Sequence, residues 1–92
     1  MGTANNNWTR IMAFQKVNRR KATLEESFEL LSCLREAGVP EEYESQWHKD
    51  MRVYPLFDAA AMAVNYWERE EFGCPPPKDL TKFTDKVCEL LK

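Results

Sequence analysis

The sequence TLEESFELLSCLREAGVP (residues 23–40) carries both a start signal and a stop signal for an α-helix. Thr23 is a favourable N-cap residue, and Glu26 three positions later completes a capping box. Gly38 is suited to the left-handed conformation that ends many helices, and the proline that follows prevents continuation. We therefore predict a helix from Leu24 to about Glu36.

Apolar residues recur along this helix at the three- and four-residue spacing that places side chains on one face. This face is expected to pack into a core, because an amphipathic helix is stabilised mainly by burying its apolar side. The predicted buried stripe, widened by two neighbouring residues, consists of Leu24, Phe28, Leu31 and Leu34, with Leu30 and Cys33.

Two further helices are predicted after this one. Three glutamates near a proline favour a helix from Glu41 to about Met51, since acidic residues are stabilising at a helix N-terminus. A third helix is predicted from Leu56 to Phe72, with Gly73 as its C-cap. Its first half is apolar on almost every side, which is typical of a central, buried helix. Its charged second half, Glu68–Glu71, is expected to be solvated.

The two ends of the chain also read as helical. Asp79 is a suitable cap for a final helix from Leu80 to about Leu91. The prolines of Cys74–Pro77 predict a rigid connector before it. Near the N-terminus, Thr9 is the expected cap of a short helix within the segment Trp8–Arg20.

The fold class follows from these signals. The chain has 92 residues, of which 43% are hydrophobic and 30% charged, a balance typical of one folded globular domain. No segment alternates apolar and polar residues in the manner of a strand. We predict an all-α fold, a compact bundle of four to five short helices in a single domain over residues 8–92, after a flexible polar lead-in over residues 1–7. The predicted core comprises Trp8, Ile11, Phe14, Phe28, Leu31, Leu34, Trp47, Met51, Leu56, Phe57, Ala60, Val64, Trp67, Phe83, Val87 and Leu90.

Charge is distributed unevenly along the chain. Residues 1–22 carry a net charge of +5, whereas residues 23–92 carry −7. One hypothesis is an electrostatic patch for phosphate or an acidic partner; the other is that the basic segment packs against the acidic remainder. Nucleic acid is the disfavoured partner, because the acidic remainder would repel phosphate. The basic residues concerned are Arg10, Lys16, Arg19, Arg20 and Lys21.

The residue types needed for catalysis, cofactors or metal binding do not form a recognisable pattern. His48 is the only histidine, and the three cysteines (Cys33, Cys74 and Cys88) lack the paired spacing of structural zinc sites. We therefore predict no catalytic residues, no cofactor and no metal. An odd cysteine count without a CxxC pair, no secretory signal and no membrane-length apolar run together predict a cytoplasmic protein that does not bind membranes.

Aromatic residues are abundant for such a short chain, with three Trp, three Tyr and five Phe. One interpretation is that all of them belong to the core; the other is that part of them form a docking face, since Tyr, Trp and Arg are enriched at binding hot spots. The predicted function is a non-catalytic interaction module that docks on a larger protein, with a nucleic-acid-binding module as the alternative and homodimerisation left open. The predicted partner-binding residues are Tyr43, Trp47, Arg52, Tyr54 and Trp67.

The stretch from Arg52 to Leu90 resembles a known class of small proteins. It contains an aromatic-Pro-Leu-Phe sequence (Tyr54–Phe57), an alanine-rich helix, Trp67 among charged residues, then glycine, prolines and a closing amphipathic helix. This order is similar to small helical accessory proteins of tailed phages, particularly tail-assembly chaperones. The resemblance covers under half of the chain. It implies binding to another protein without catalysis, and the same build also suits a phage-encoded inhibitor of a host enzyme.

Overall fold

The chain folds into a bundle of helices, seen in a computed structural model that describes residues 6–68 and 78–92. These residues form five α-helices and no strand, which confirms the all-α prediction. A 3-10 turn over Glu41–Tyr43 leads into the third helix. None of the five combines the length and apolar character that crossing a bilayer requires. The helices are α1 (Asn6–Met12), α2 (Leu24–Ala37), α3 (Glu44–Val53), α4 (Leu56–Trp67) and α5 (Thr81–Leu91).

Helix α2 begins and ends as the sequence predicts. The Thr23 hydroxyl accepts a hydrogen bond from the Glu26 amide at 3.1 Å, and the Glu26 carboxylate accepts one from the Thr23 amide at 3.0 Å. At the other end Gly38 has φ 96°, in the left-handed region that favours glycine. The Val39 amide then donates to the Leu34 carbonyl at 3.0 Å, which satisfies a terminal carbonyl.

Helix α4 is the central element, as its apolar composition indicates. It packs against α1, α3 and α5. The alanines at 59, 60 and 63 are fully buried. Small side chains at these positions let the neighbouring helices approach closely, so the alanine-rich sequence accounts for the tight centre of the bundle.

The buried face of α2 differs from the predicted stripe. Leu24 is 71% exposed and Phe28 50% exposed, so neither belongs to the core. Leu30, Leu31 and Leu34 are buried as predicted, and Ser27, which the predicted stripe omits, is buried with them. This side of α2 faces α3 and α5, and the Nε1 of Trp47 on α3 donates to the Ser27 carbonyl at 3.1 Å.

Most other predicted core residues are buried, with some changes at the edges. Trp8, Phe14 and Leu90 are only partly buried and pack against the rim of the core. Leu80 and Leu91 are fully buried although the predicted core omits them. The fully buried stripe of α5 therefore ends on Leu91.

The N-terminal helix starts earlier and ends sooner than predicted. Thr9 lies inside α1 rather than at its cap, and turns replace the helix after Met12. Val17 is 70% exposed, although it lies three residues after Phe14, at helical spacing. Asn6 and Asn7, which the sequence places in the polar lead-in, belong to α1, and residues 1–5 lie outside the described ranges.

A backbone hydrogen bond joins the end of α4 to the segment that leads into α5. Helix α4 ends at Trp67, and the Lys78 amide donates to the Trp67 carbonyl at 2.8 Å. The predicted continuation to Phe72, the Gly73 cap and the connector Cys74–Pro77 all lie outside the described residues. Helix α5 begins at Thr81, one residue later than predicted. The Asp79 carboxylate still accepts a hydrogen bond from the Thr81 amide at 3.1 Å.

Candidate functional site

A groove of about 670 Å³ opens on the surface between the 3-10 turn, α3 and α4. Its volume falls in the range of sites that bind small molecules or inserted side chains. Aromatic, aliphatic and acidic residues line it together. The lining residues are Pro40, Glu42, Tyr43, Gln46, Asp50, Met62, Tyr66 and Trp67.

Helical spacing places these side chains on two facing walls. Tyr43, Gln46 and Asp50 recur every three or four residues, so they follow one face of the 3-10 turn and α3. Met62 and Tyr66 are four residues apart on α4 and share a face in the same way. The groove therefore arises from the packing of α3 on α4, and each helix supplies one wall.

Three aromatic rings pack against one another along the groove. The rings of Tyr43 and Tyr66 are nearly parallel, with centroids 5.9 Å apart and an interplanar angle of 16°. The Trp67 ring is almost perpendicular to both, at centroid distances of 5.3 and 4.9 Å. Offset-stacked and edge-to-face pairs are the favoured aromatic geometries, so these rings hold one another in place.

The described residues that line the groove and carry a charge are both acidic. Glu42 is exposed, whereas Asp50 is largely buried and accepts a hydrogen bond from the Gln46 side chain at 2.9 Å. The described part of the chain contributes no Lys, Arg or His to the lining. Met62 is 36% exposed and adds a flexible, polarisable apolar surface. The groove is thus an aromatic and apolar surface with an acidic edge.

The structure separates the five predicted partner-binding residues. Tyr43 and Trp67 line the groove. Trp47 has no exposed surface and packs edge-to-face on Phe83 at 5.7 Å, so in the folded chain it belongs to the core. Arg52 and Tyr54 are exposed but do not line the groove.

Sequence reasoning missed several groove residues. The sequence pattern places Met62 in the apolar, buried first half of its helix, and it gives no signal for Gln46 or Asp50. The signal that could have found them is the pairing of two spacings, 43–46–50 on one helix and 62–66 on the next. Only the packing of the two helices shows that these residues face each other.

A second exposed surface, which we call the α2–α3 face, consists of Leu24, Phe28, Val53 and Tyr54. It therefore includes Tyr54, and Arg52 lies next to it in sequence. Each of these four side chains is at least 42% exposed. The Phe28 ring packs edge-on against the His48 ring at 5.2 Å, and Lys21 Nζ donates to the Arg52 carbonyl at 2.7 Å. These contacts link α2 to α3. The four side chains of the α2–α3 face stay exposed to solvent all the same.

Two of the predicted electrostatic-patch residues pair with acidic side chains of distant helices. Arg10 binds Asp85 on α5 at 2.7 Å. Arg19 binds Asp58 on α4 at 3.2 Å, and its guanidinium lies 5.8 Å from the centre of the Phe57 ring. Lys16, by contrast, is exposed. These ion pairs are what the hypothesis of internal packing expects.

Arg20 and Lys21 bind the C-terminal ends of two helices. Arg20 holds the Glu26 carboxylate through both guanidinium nitrogens, at 2.8 and 3.0 Å, and donates to the Leu90 carbonyl at 3.1 Å. Lys21 binds the Arg52 carbonyl at the end of α3. The last carbonyls of a helix lack partners within it and carry partial negative charge. A cation at the C-terminal end of each of these two helices is therefore stabilising.

A buried carboxylate joins α1, α4 and α5. Glu68, predicted to be solvated, is only 7% exposed. Its Oε2 accepts hydrogen bonds from the Asn7 side chain at 2.6 Å and from the Leu80 amide at 3.2 Å. Its Oε1 is buried with no hydrogen-bond partner among the described residues. Loss of water around the carboxyl group raises the pKa of Glu68, and the charge of Asp79 adds to that effect.

The titratable side chains show no arrangement for nucleophilic or metal chemistry within the described ranges. No group of three His, Cys, Asp or Glu residues there could hold a metal ion. Burial raises the pKa of the Cys33 and Cys88 thiols, which favours the protonated, unreactive form. His48 packs on Phe28 rather than beside a nucleophile.

Comparison with known protein families, with curated proteins and with solved structures finds no match. The resemblance to tail-assembly chaperones therefore stays a prediction.

Proposed function

We propose that this chain is a small non-catalytic interaction protein that docks on a larger protein through the aromatic groove. The supporting observation is the groove itself, in which Tyr43, Tyr66 and Trp67 form one packed aromatic surface beside Met62. Aromatic residues and methionine are enriched at the centres of protein interfaces. Rings that already hold one another in place lose little conformational entropy on binding, which favours affinity.

The alternative of nucleic-acid binding receives less support. Arg10, Arg19 and Arg20 already bind carboxylates of this chain, and Lys21 binds a carbonyl. Phosphate would have to compete with these partners and approach an acidic surface. We therefore favour a protein partner, and the proposal keeps the cytoplasmic location predicted from the sequence. A tail-assembly chaperone and an enzyme inhibitor would both work by such docking.

The test is a comparison of two variants that each place a charge on an exposed apolar residue. Met62→Glu alters the groove, whereas Leu24→Glu alters the α2–α3 face. Tagged wild-type protein and both variants are used to capture partners from nuclease-treated extract of the native source, and thermal unfolding verifies that each variant folds.

We expect a stoichiometric protein partner to be retained by wild type and by Leu24→Glu and lost with Met62→Glu. Loss with Leu24→Glu alone would move the docking site to the α2–α3 face. Loss of all specific partners after nuclease treatment would favour the nucleic-acid alternative instead.

A further inference from the structure

The groove combines two features that select the same kind of ligand group. Its aromatic surface comprises Tyr43, Tyr66 and Trp67, and the faces of such rings attract cations. Its charged residues within the described ranges, Glu42 and Asp50, are both acidic. A neutral apolar ligand would use the rings but would bring no positive charge to these carboxylates.

We propose that the groove binds an arginine or lysine side chain presented by an extended basic segment of the partner protein. This inference rests on the proposed function and specifies the chemistry of the partner. Long basic side chains bury their methylene stems on apolar surface while the charged head reaches a polar edge. Here the stem packs against Met62 and Pro40, and the charged head lies beside Glu42 and Asp50.

Charge complementarity extends beyond the groove. Residues 23–92, which include every groove residue, carry a net charge of −7. The basic residues of the N-terminal segment pair with other parts of this surface, such as Asp58 and Asp85. Glu42 and Asp50 have no ion pair within the described residues. A basic partner segment supplies the missing positive charge, and it is steered to the groove by long-range attraction.

The volume of the groove also suits one side chain rather than a whole helix. A groove of about 670 Å³ accommodates one long side chain and the backbone on either side of it. An extended segment brings its side chain in without first forming a helix. Arginine is the favoured residue, because its planar guanidinium stacks on aromatic rings and binds carboxylates through two hydrogen bonds.

The experiment is a titration of the full ¹⁵N-labelled chain followed by NMR. The probes are the peptide acetyl-Ala-Pro-Arg-Pro-Ala-amide and its counterpart with citrulline, which keeps the shape of arginine without its charge. We expect the arginine peptide to shift signals of Tyr43, Met62 and Tyr66, with an affinity about 3- to 10-fold higher than the citrulline peptide, as expected for a cation on aromatic rings near carboxylates.

Variants of the two acidic residues test the origin of that preference. Glu42→Gln and Asp50→Asn should each reduce the ratio of arginine to citrulline affinity, and Asp50→Asn keeps the oxygen that accepts from Gln46. Glu25→Gln removes the same charge at an exposed site of α2 and serves as the control, with the ratio unchanged. Because Glu42 is exposed, its variant should fold even if the Asp50 variant does not.

The two proposals fail in different ways. Equal affinity for the arginine and citrulline peptides, or no shifts at millimolar peptide, overturns the assignment of a cationic ligand. The docking function still stands in that case if Met62→Glu loses the captured partner. Retention of the partner by Met62→Glu overturns the docking groove itself.

Discussion

The side-chain amide of Asn7 donates a 2.6 Å hydrogen bond to the carboxylate of Glu68, a residue 61 positions further along the chain. This contact ties the first described helix to the junction between α4 and α5. It also keeps a carboxylate out of water, with one oxygen unpartnered among the described residues. The ionised form of Glu68 therefore destabilises the folded state, whereas the packing and the hydrogen bonds of its side chain stabilise the folded state.

Replacing Glu68 with glutamine should stabilise the protein at neutral pH. Both hydrogen bonds fall on Oε2, so the glutamine oxygen can accept them while its amide group occupies the place of Oε1. We expect the free energy of unfolding at about pH 8 to rise by about 1 kcal/mol, the scale of one buried polar group. Urea unfolding of Glu68→Gln, wild type and the exposed-site control Glu89→Gln measures the difference.

The advantage of Glu68→Gln should depend on pH. Because the folded pKa of Glu68 is raised, the folded state binds the proton more tightly than the unfolded chain does. Wild-type stability from this residue is present at low pH and is lost as pH rises through the folded pKa. The two proteins should therefore converge below about pH 3.5, where the carboxyl group is mostly protonated in both states. A constant difference from acidic to basic pH would contradict this account.

Arg20 should contribute more to stability than Lys16, although both are basic residues of the same segment. Arg20 binds Glu26 and the Leu90 carbonyl, whereas Lys16 is exposed. We expect Arg20→Ala to lower the free energy of unfolding by about 1 kcal/mol, since the pair is partly exposed. Lys16→Ala should change it by less than about 0.5 kcal/mol. Similar losses in both variants would show that net charge matters and the specific contacts do not.

The ion pair of Arg20 and Glu26 should change the pH dependence of stability in the opposite direction from Glu68. The Arg20 guanidinium lowers the pKa of Glu26, so the stabilising contribution is present above the ordinary glutamate pKa and is lost as pH falls through the folded pKa. Arg20→Ala removes the main cause of that shift. Its difference from wild type should shrink on acidification, which unfolding curves at successive pH values would reveal.

Trp47 should behave as a core residue and not as a docking residue. Trp47→Phe removes the indole N–H that donates to Ser27 and leaves space beneath α2. We expect a loss of about 1–3 kcal/mol in the free energy of unfolding. Tyr54→Ala, at an exposed aromatic residue, should cost less than about 0.5 kcal/mol. Chemical unfolding followed by circular dichroism compares the two without relying on tryptophan fluorescence.

The capping box of α2 offers a test of local stabilisation. Thr23→Ala removes the hydroxyl that accepts from the Glu26 amide. We expect a loss of about 1 kcal/mol, the usual cost of deleting an N-cap. Thr9→Ala removes a threonine hydroxyl from an exposed position inside α1 and serves as the control. Equal effects at the two positions would argue against a specific role for the cap.

Helix ends were predictable here where the signal is local. The capping box at Thr23 and the left-handed Gly38 depend on residues within one turn, and both are confirmed. The choice of buried face was less predictable, because α2 has apolar residues around much of its circumference. Phe28 and Leu30 are equally plausible core residues by spacing. The packing of Trp47, some 20 positions away, decides between them.

Long-range polar contacts were beyond the reach of sequence patterns. Composition showed that positive charge is concentrated before residue 22, but not that Arg10 meets Asp85 or that Arg19 meets Asp58. Glu68 illustrates the same limit, since a glutamate beside other charges is typical of a solvated helix end. Its burial becomes visible only in the folded chain, where the Asn7 side chain and the Leu80 amide donate hydrogen bonds to it.

The hydrogen bond between the Lys78 amide and the Trp67 carbonyl has a practical consequence for engineering. It joins the end of α4 to the backbone that leads into α5, and it uses main-chain atoms only. Most side-chain substitutions at these two positions therefore leave the donor and the acceptor in place. Lys78→Pro is the exception, because proline has no amide hydrogen to donate. This one substitution therefore removes the backbone link between the two helices, and Lys78 otherwise stays open to redesign.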